Sequence, residues 1–220
     1  MGLGLAIIGL LSIGVVLGFM VIQAMFAARK WRSVIAEGDH PALMELLDQT
    51  FDAWRSARPP KGTPPADWRA LHTAALIAAD RERIRVSILA EPDVRVVAGQ
   101  RDEVANEYVV ARRATVRMVE RLLYEVPYAS FEAAQVDVNL EYRDAAGATL
   151  TRCLLTTTAR RDVAAMSDWE DGEPDELLAE WETQDGEGRD EPDPNLAPLI
   201  TADEVDAVVA AEAALREASR

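Results

Sequence analysis

The chain has 220 residues, 23 Lys/Arg against 38 Asp/Glu, and a formal net charge of −15. That length holds one ordinary domain with appendages, and the charge sits in one place: residues 167–220 carry 18 acids against Arg189, Arg216 and Arg220, while the other 166 residues carry 20 of each sign. A balanced domain with an acidic end leaves nucleic acid out of the expected partners. The single cysteine, Cys153, excludes an intramolecular disulfide, and two histidines, His40 and His72, exclude a histidine-rich metal site.

Residues 2–28 contain no charged side chain. A bilayer core about 30 Å thick needs roughly 20 apolar residues, so this stretch predicts an uncleaved transmembrane helix. The leader lacks the basic residues and cleavage site of a secretory signal. Arg29, Lys30 and Arg32 follow at once, with Trp31 among them as an aromatic interface anchor in a juxtamembrane segment, 29–38. The positive-inside rule then predicts a single-pass protein of the bacterial inner membrane, N-terminus outside and C-terminal domain cytoplasmic, with membrane lipid as a partner. Gly14 and Gly18 form a GxxxG, to which Gly4, Gly9 and Ser12 add small residues, so close helix packing is expected there.

Residues 39–169 read as a small α+β domain, with several helices packed on antiparallel hairpins. Asp39 and Pro41 open a helix whose apolar positions, Leu43, Leu46, Leu47, Thr50, Phe51 and Trp54, recur at helical spacing to about Ser56. Five residues of the Pro-rich connector at 59–65 end it, and a second helix is expected over 67–81. Alternation over 83–97, broken at Glu91-Pro92-Asp93, favours a hairpin, with a continuation of the second helix to Leu89 as the alternative. A helix is expected over 102–125. Val136, Val138, Leu140 and Tyr142 alternate with polar residues, turn at Asp144-Ala145-Ala146-Gly147, and return over 149–158 as an antiparallel pair. A short helix over 162–169 closes the domain.

Residues 170–200 are dense in Asp, Glu, Gly and Pro and read as a disordered acidic linker, carrying one hydrophobic cluster, Leu177, Leu178 and Trp181, as a docking motif. A capping box at Thr201-Ala202-Asp203-Glu204 starts a marginal helix over 201–218.

Little in the chain points to catalysis. Cys153 lies mid-strand, where a buried structural cysteine is the common case. His72 has no nearby acidic or cysteine partner in sequence. Asp137 and Glu141 share a strand face as metal-binding nuclease acids can, but no lysine stands beside the second acid. No phosphate loop, dinucleotide fingerprint or metalloprotease motif occurs, so no cofactor is expected. Arg113, Arg117 and Arg121 follow i, i+4, i+8 along one helix face, a solvated stripe or an anion contact for lipid headgroups or the acidic tail. The favoured function is a non-enzymatic accessory, assembly or scaffold subunit of an inner-membrane complex, partnered by an integral membrane subunit or itself. The alternatives are a tethered hydrolase or nuclease using Asp137 and Glu141, or an adaptor that captures a soluble partner through its tail.

Overall fold

The computed structural model describes residues 2–36, 39–97 and 99–218, with the side chains of 2–12 and a few further helix positions, Gly4, Gly9 and Ser12 among them, outside the described set. Its first element, α1 (Gly2–Ala36), is a 35-residue helix that runs straight through the basic cluster and docks on the domain through Trp31 and Ile35. Among the described residues no helix is long and apolar enough to cross a membrane. The expected transmembrane anchor over 2–28, and the single-pass inner-membrane placement built on it, are corrected accordingly.

Helix α2 (His40–Ser56) starts where Asp39 accepts a hydrogen bond from the Ala42 N–H at 3.1 Å, with proline in its first turn. Its buried stripe, Leu43, Leu46, Leu47, Thr50 and Phe51, faces the domain. Helix α3 (Pro65–His72) starts on a proline and stops after eight residues. The following Ala-Leu-Ile-Ala-Ala is not helix but β1 (Ala75–Ala79), pairing antiparallel with β2 (Arg83–Leu89). Alanine's helix preference is worth only tenths of a kcal/mol per residue, and strand pairing with Ala78 and Ala79 buried outweighs it. The turn between them is held by Asp80, whose carboxylate accepts from the backbone N–H of Glu82 and Arg83 and from the Arg83 guanidinium.

The expected hairpin over 83–97 is replaced by two different pairings. β3 (Asp93–Val97) pairs with β4 (Gln100–Ala105), which takes the residues expected to begin the long helix. That helix, α4 (Glu107–Glu120), starts at Asn106, whose side chain accepts from Val109 N–H, and ends in a π-helical turn, Arg121–Glu125. β5 (Ala133–Arg143) and β6 (Thr149–Arg160) form the long antiparallel pair, but β5 also lies parallel to β2. Parallel neighbours need a long connection, which β3, β4 and α4 supply. The sheet is therefore mixed, in the order β1-β2-β5-β6 with a fifth strand, β7 (Glu182–Asp185), outside β6, rather than a set of antiparallel hairpins.

One face of this sheet is apolar: Ile84, Val86, Ile88, Val136, Val138 and Leu155 join one core with Leu47, Leu71, Val110, Met118 and Leu122 of the helices. The C-terminal quarter completes the fold instead of trailing from it. After α5 (Arg161–Ala164), helix α6 (Pro174–Glu180) buries Leu177 and Leu178, β7 (Glu182–Asp185) adds the fifth strand beside β6, and residues 192–200 cross the sheet's polar face before α7 (Ala202–Ala218). The disordered acidic tail expected from composition is corrected here: tertiary burial and strand pairing stabilise a segment that could not fold alone.

Candidate functional site

The polar face of the sheet gathers the strongest cluster of buried ionisable groups. Arg85 on β2 and Asp137 on β5 are 4% and 2% exposed. They stand on the face opposite the core because strand side chains alternate. Arg85 Nε donates to Asp137 Oδ2 at 2.8 Å, and Asp137 Oδ1 accepts from Gln135 Nε2 at 2.8 Å and Thr156 Oγ1 at 2.6 Å. The strap of residues 192–200 closes over them. Arg85 Nη2 donates to the Pro194 carbonyl and Asn195 Oδ1, both at 3.0 Å, and Leu199 N–H donates to Gln135 Oε1 at 2.7 Å. A buried charge pair is tolerated only when its remaining donors and acceptors are satisfied, and here the chain's own strap satisfies them. Both Asp137 oxygens are committed inside the protein, while Glu141 lies on the exposed outer part of β5. Arg152, on β6 within cross-strand reach of β5, pairs with Glu107 at 2.9 Å and lies over the Tyr108 ring. Among the described residues no group of three His, Cys, Asp or Glu could hold a metal ion.

Cys153, on the neighbouring strand, is buried. Burial pushes its thiol up to about 12, with the negative charge of Asp137 adding to the effect and its contact with the Leu155 carbonyl opposing it. A thiol so placed is unreactive at neutral pH. His72 packs edge-on to Trp68, and burial followed by the nearby Arg121 charge lowers its pKa.

The arginines of α4 do not present a common free face. Arg113 pairs with Asp67 at 2.8 Å, and Arg117 pairs with Glu120 and Glu125. Arg121 is buried, its guanidinium 5.4 Å from the Trp54 ring centre and 4.9 Å from that of Trp68; desolvation, then the like charge of Arg117, lowers its pKa. The acidic segment meets Arg112 instead, through Asp185 at 2.7 Å, Asp175 at 3.4 Å and Glu187. Although burial disfavours its charge, the hydrogen bonds it donates to Asp185 and Glu187 hold the Arg112 guanidinium above its ordinary pKa. Leu177, Leu178 and Trp181 are buried in the main core, and Trp181 lies beside Trp169 with ring centres 5.8 Å apart.

Gly14 and Gly18 lie on α1, where an added Cβ would meet nothing within 4 Å. Arg29, Lys30 and Arg32 are exposed on the same helix, with Trp31 half-buried against the domain. Arg85, Gln135 and the strap went unseen in sequence. The one available signal was the repeated polar residue at alternate positions of two otherwise apolar strands. No family model, curated protein or solved structure matches the chain.

Proposed function

We propose that the protein is a non-enzymatic accessory or scaffold subunit, in which the folded domain is a platform and α1 is the arm that engages a protein partner. The observation that supports this is the surface of α1. Val15 is 71% exposed, Phe19 60%, Met20 62% and Phe26 66%, and the described apolar residues between them are exposed as well. Contiguous apolar surface on this scale marks a binding interface. A helix apolar around its circumference needs enclosure by other apolar elements, and a partner helix or a second copy of α1 meets that need. Gly14 and Gly18 let such a helix approach closely.

A photo-crosslinking residue in place of Val15 or Val21, in the full chain within producing cells, tests the reading. One discrete crosslinked protein species from both sites, absent when the crosslinker replaces exposed Glu45 on α2, is expected. Crosslinking that yields no protein adduct at either α1 site overturns it.

A further inference from the structure

A cavity of about 280 Å³ opens where the end of α1, the start of α2, the β1–β2 turn and α7 meet. Its apolar wall is Ile35, Leu43, Val205, Val208 and Val209. At about 30 Å³ per water this is roughly nine waters' worth of space, close to the lower end of small-molecule sites. The rest of the wall is polar and carries a definite sign. Among the described lining residues, three acids, Asp39, Asp80 and Glu82, stand against one cation, Arg81.

Two of those acids are already used: Asp39 caps α2, and Asp80 binds the backbone of its turn and Arg83. Their charge stays in the wall, but the free acceptor is Glu82, whose carboxylate has no hydrogen-bond or ion-pair partner among the described residues. His40, also in the wall, has an enclosed Nε2 with no hydrogen-bond partner among the described residues, and in the tautomer that carries its proton on Nδ1 this nitrogen accepts an N–H. The two helix ends at the cavity also differ in sign. The N-terminus of α2 would favour an anion, but the Asp39 carboxylate already occupies it. The C-terminal pole of α1, next to Ile35, adds partial negative charge worth about half an electron.

We propose that this cavity is a binding site for a small arylalkyl or alkyl amine. Its apolar part lies against Leu43, Val205, Val208 and Val209, and its ammonium group donates to His40 Nε2 and Glu82. Helix α7 forms the outer wall, tied to the sheet through Ile200 and Val205 against Ala78 and through the 3.5 Å Arg83–Glu204 ion pair.

Phenethylamine and phenylacetate, titrated separately into methyl-labelled full-length protein and followed by NMR, test both the place and the head group. Phenethylamine should shift the Leu43, Val205 and Val209 methyls saturably, and phenylacetate should bind at least about tenfold more weakly, the worth of one charged-group hydrogen bond. Val208→Trp, which fills the cavity from an exposed helix position, should weaken the amine about tenfold or more by removing the space it occupies. His40→Leu should weaken it comparably, with the Ile84 and Val136 methyl signals unchanged in both variants as the record of an intact fold. Equal binding of acid and amine overturns the proposed ligand class. Shifts confined to Ile13–Ile22 of α1, or affinity untouched by both substitutions, mean adsorption to the exposed helix and overturn the site.

Discussion

Removing Asp137 alone would leave the Arg85 guanidinium buried with only neutral partners. One-sided loss of a buried pair costs about 3–5 kcal/mol, whereas replacing both members with apolar residues is often close to neutral. Asp137→Ala should therefore lower stability by about that amount in urea denaturation, and Arg85→Met combined with Asp137→Leu should recover a large share of it. The recovery should be incomplete, because Arg85 also holds Pro194 and Asn195 of the strap. Two other buried groups, Asp67 on α3 and Cys153 on β6, make pH predictions of definite sign. Burial raises the Asp67 carboxyl above 3.8, against the pull of Arg113. A raised acid is protonated more readily in the native state, so its contribution is complete below the unfolded value and is lost as pH rises through the folded one. Asp67→Asn should thus flatten the fall in urea midpoint in the window just above pH 3.8. The Cys153 thiol, at about 12 against an ordinary 9.0, makes a contribution that is lost as pH climbs past 9.0 toward 12. Below that window, at pH 8, its labelling by a thiol reagent should run at least about a thousandfold slower than that of free cysteine and follow the opening of the fold.

At the scale of elements, the acidic C-terminal segment behaves as an integral part of the sheet. Trp181 is 7% exposed in the shared core, and Gly186 N–H donates to the Leu154 carbonyl just beyond the β6–β7 ladder. Trp181→Ala should cost about 3–5 kcal/mol of the whole domain's stability, the range for emptying a large aromatic site, read as a single cooperative transition in denaturant. Salt should matter little. The Arg112 pairs are partly exposed and weaken as the Debye length shrinks to about 3 Å at 1 M, but buried apolar contacts and strand hydrogen bonds do not. NMR signals of β7 should keep their native positions at high salt, and their collapse to disordered positions would show that charge alone holds the segment. Helix α2 and the β5–β6 pair were legible because each carries its own period and end signals: the Asp39 cap, the buried stripe of α2, the alternation from Val136 to Tyr142 and the Asp144–Gly147 turn. The segment over 170–200 was not legible, because composition measures what a stretch can bury by itself, and its partners lie on α4 and β6.

For the whole molecule, the open question of assembly turns on α1. If a partner helix approaches at Gly14 and Gly18, then Gly14→Leu with Gly18→Leu should reduce the crosslinked fraction from Val15 several-fold while leaving the domain's denaturation unchanged. The substitutions fill a surface that meets nothing within the chain, so an unfolded domain would contradict the separation of arm and platform. The sequence by itself determined where charge and apolar residues concentrate, the cap and period of α2, and the hairpin of β5 and β6, because each depends on residues within a few positions of one another. It also marked α1 as a long apolar helix, though hydropathy alone led to a membrane span and could not show the helix continuing through Arg29, Lys30 and Arg32 to pack on the domain. Only the tertiary structure decided that β2 lies parallel to β5, that Ala75–Ala79 is a strand, and that Arg85, Asp137 and the strap close into one buried network. The β2–β5 pairing and the buried network rest on contacts between residues 50 to 110 positions apart, whose free energy appears in no local window of the chain, and β1 is a strand because β2, its partner, is itself placed by that sheet.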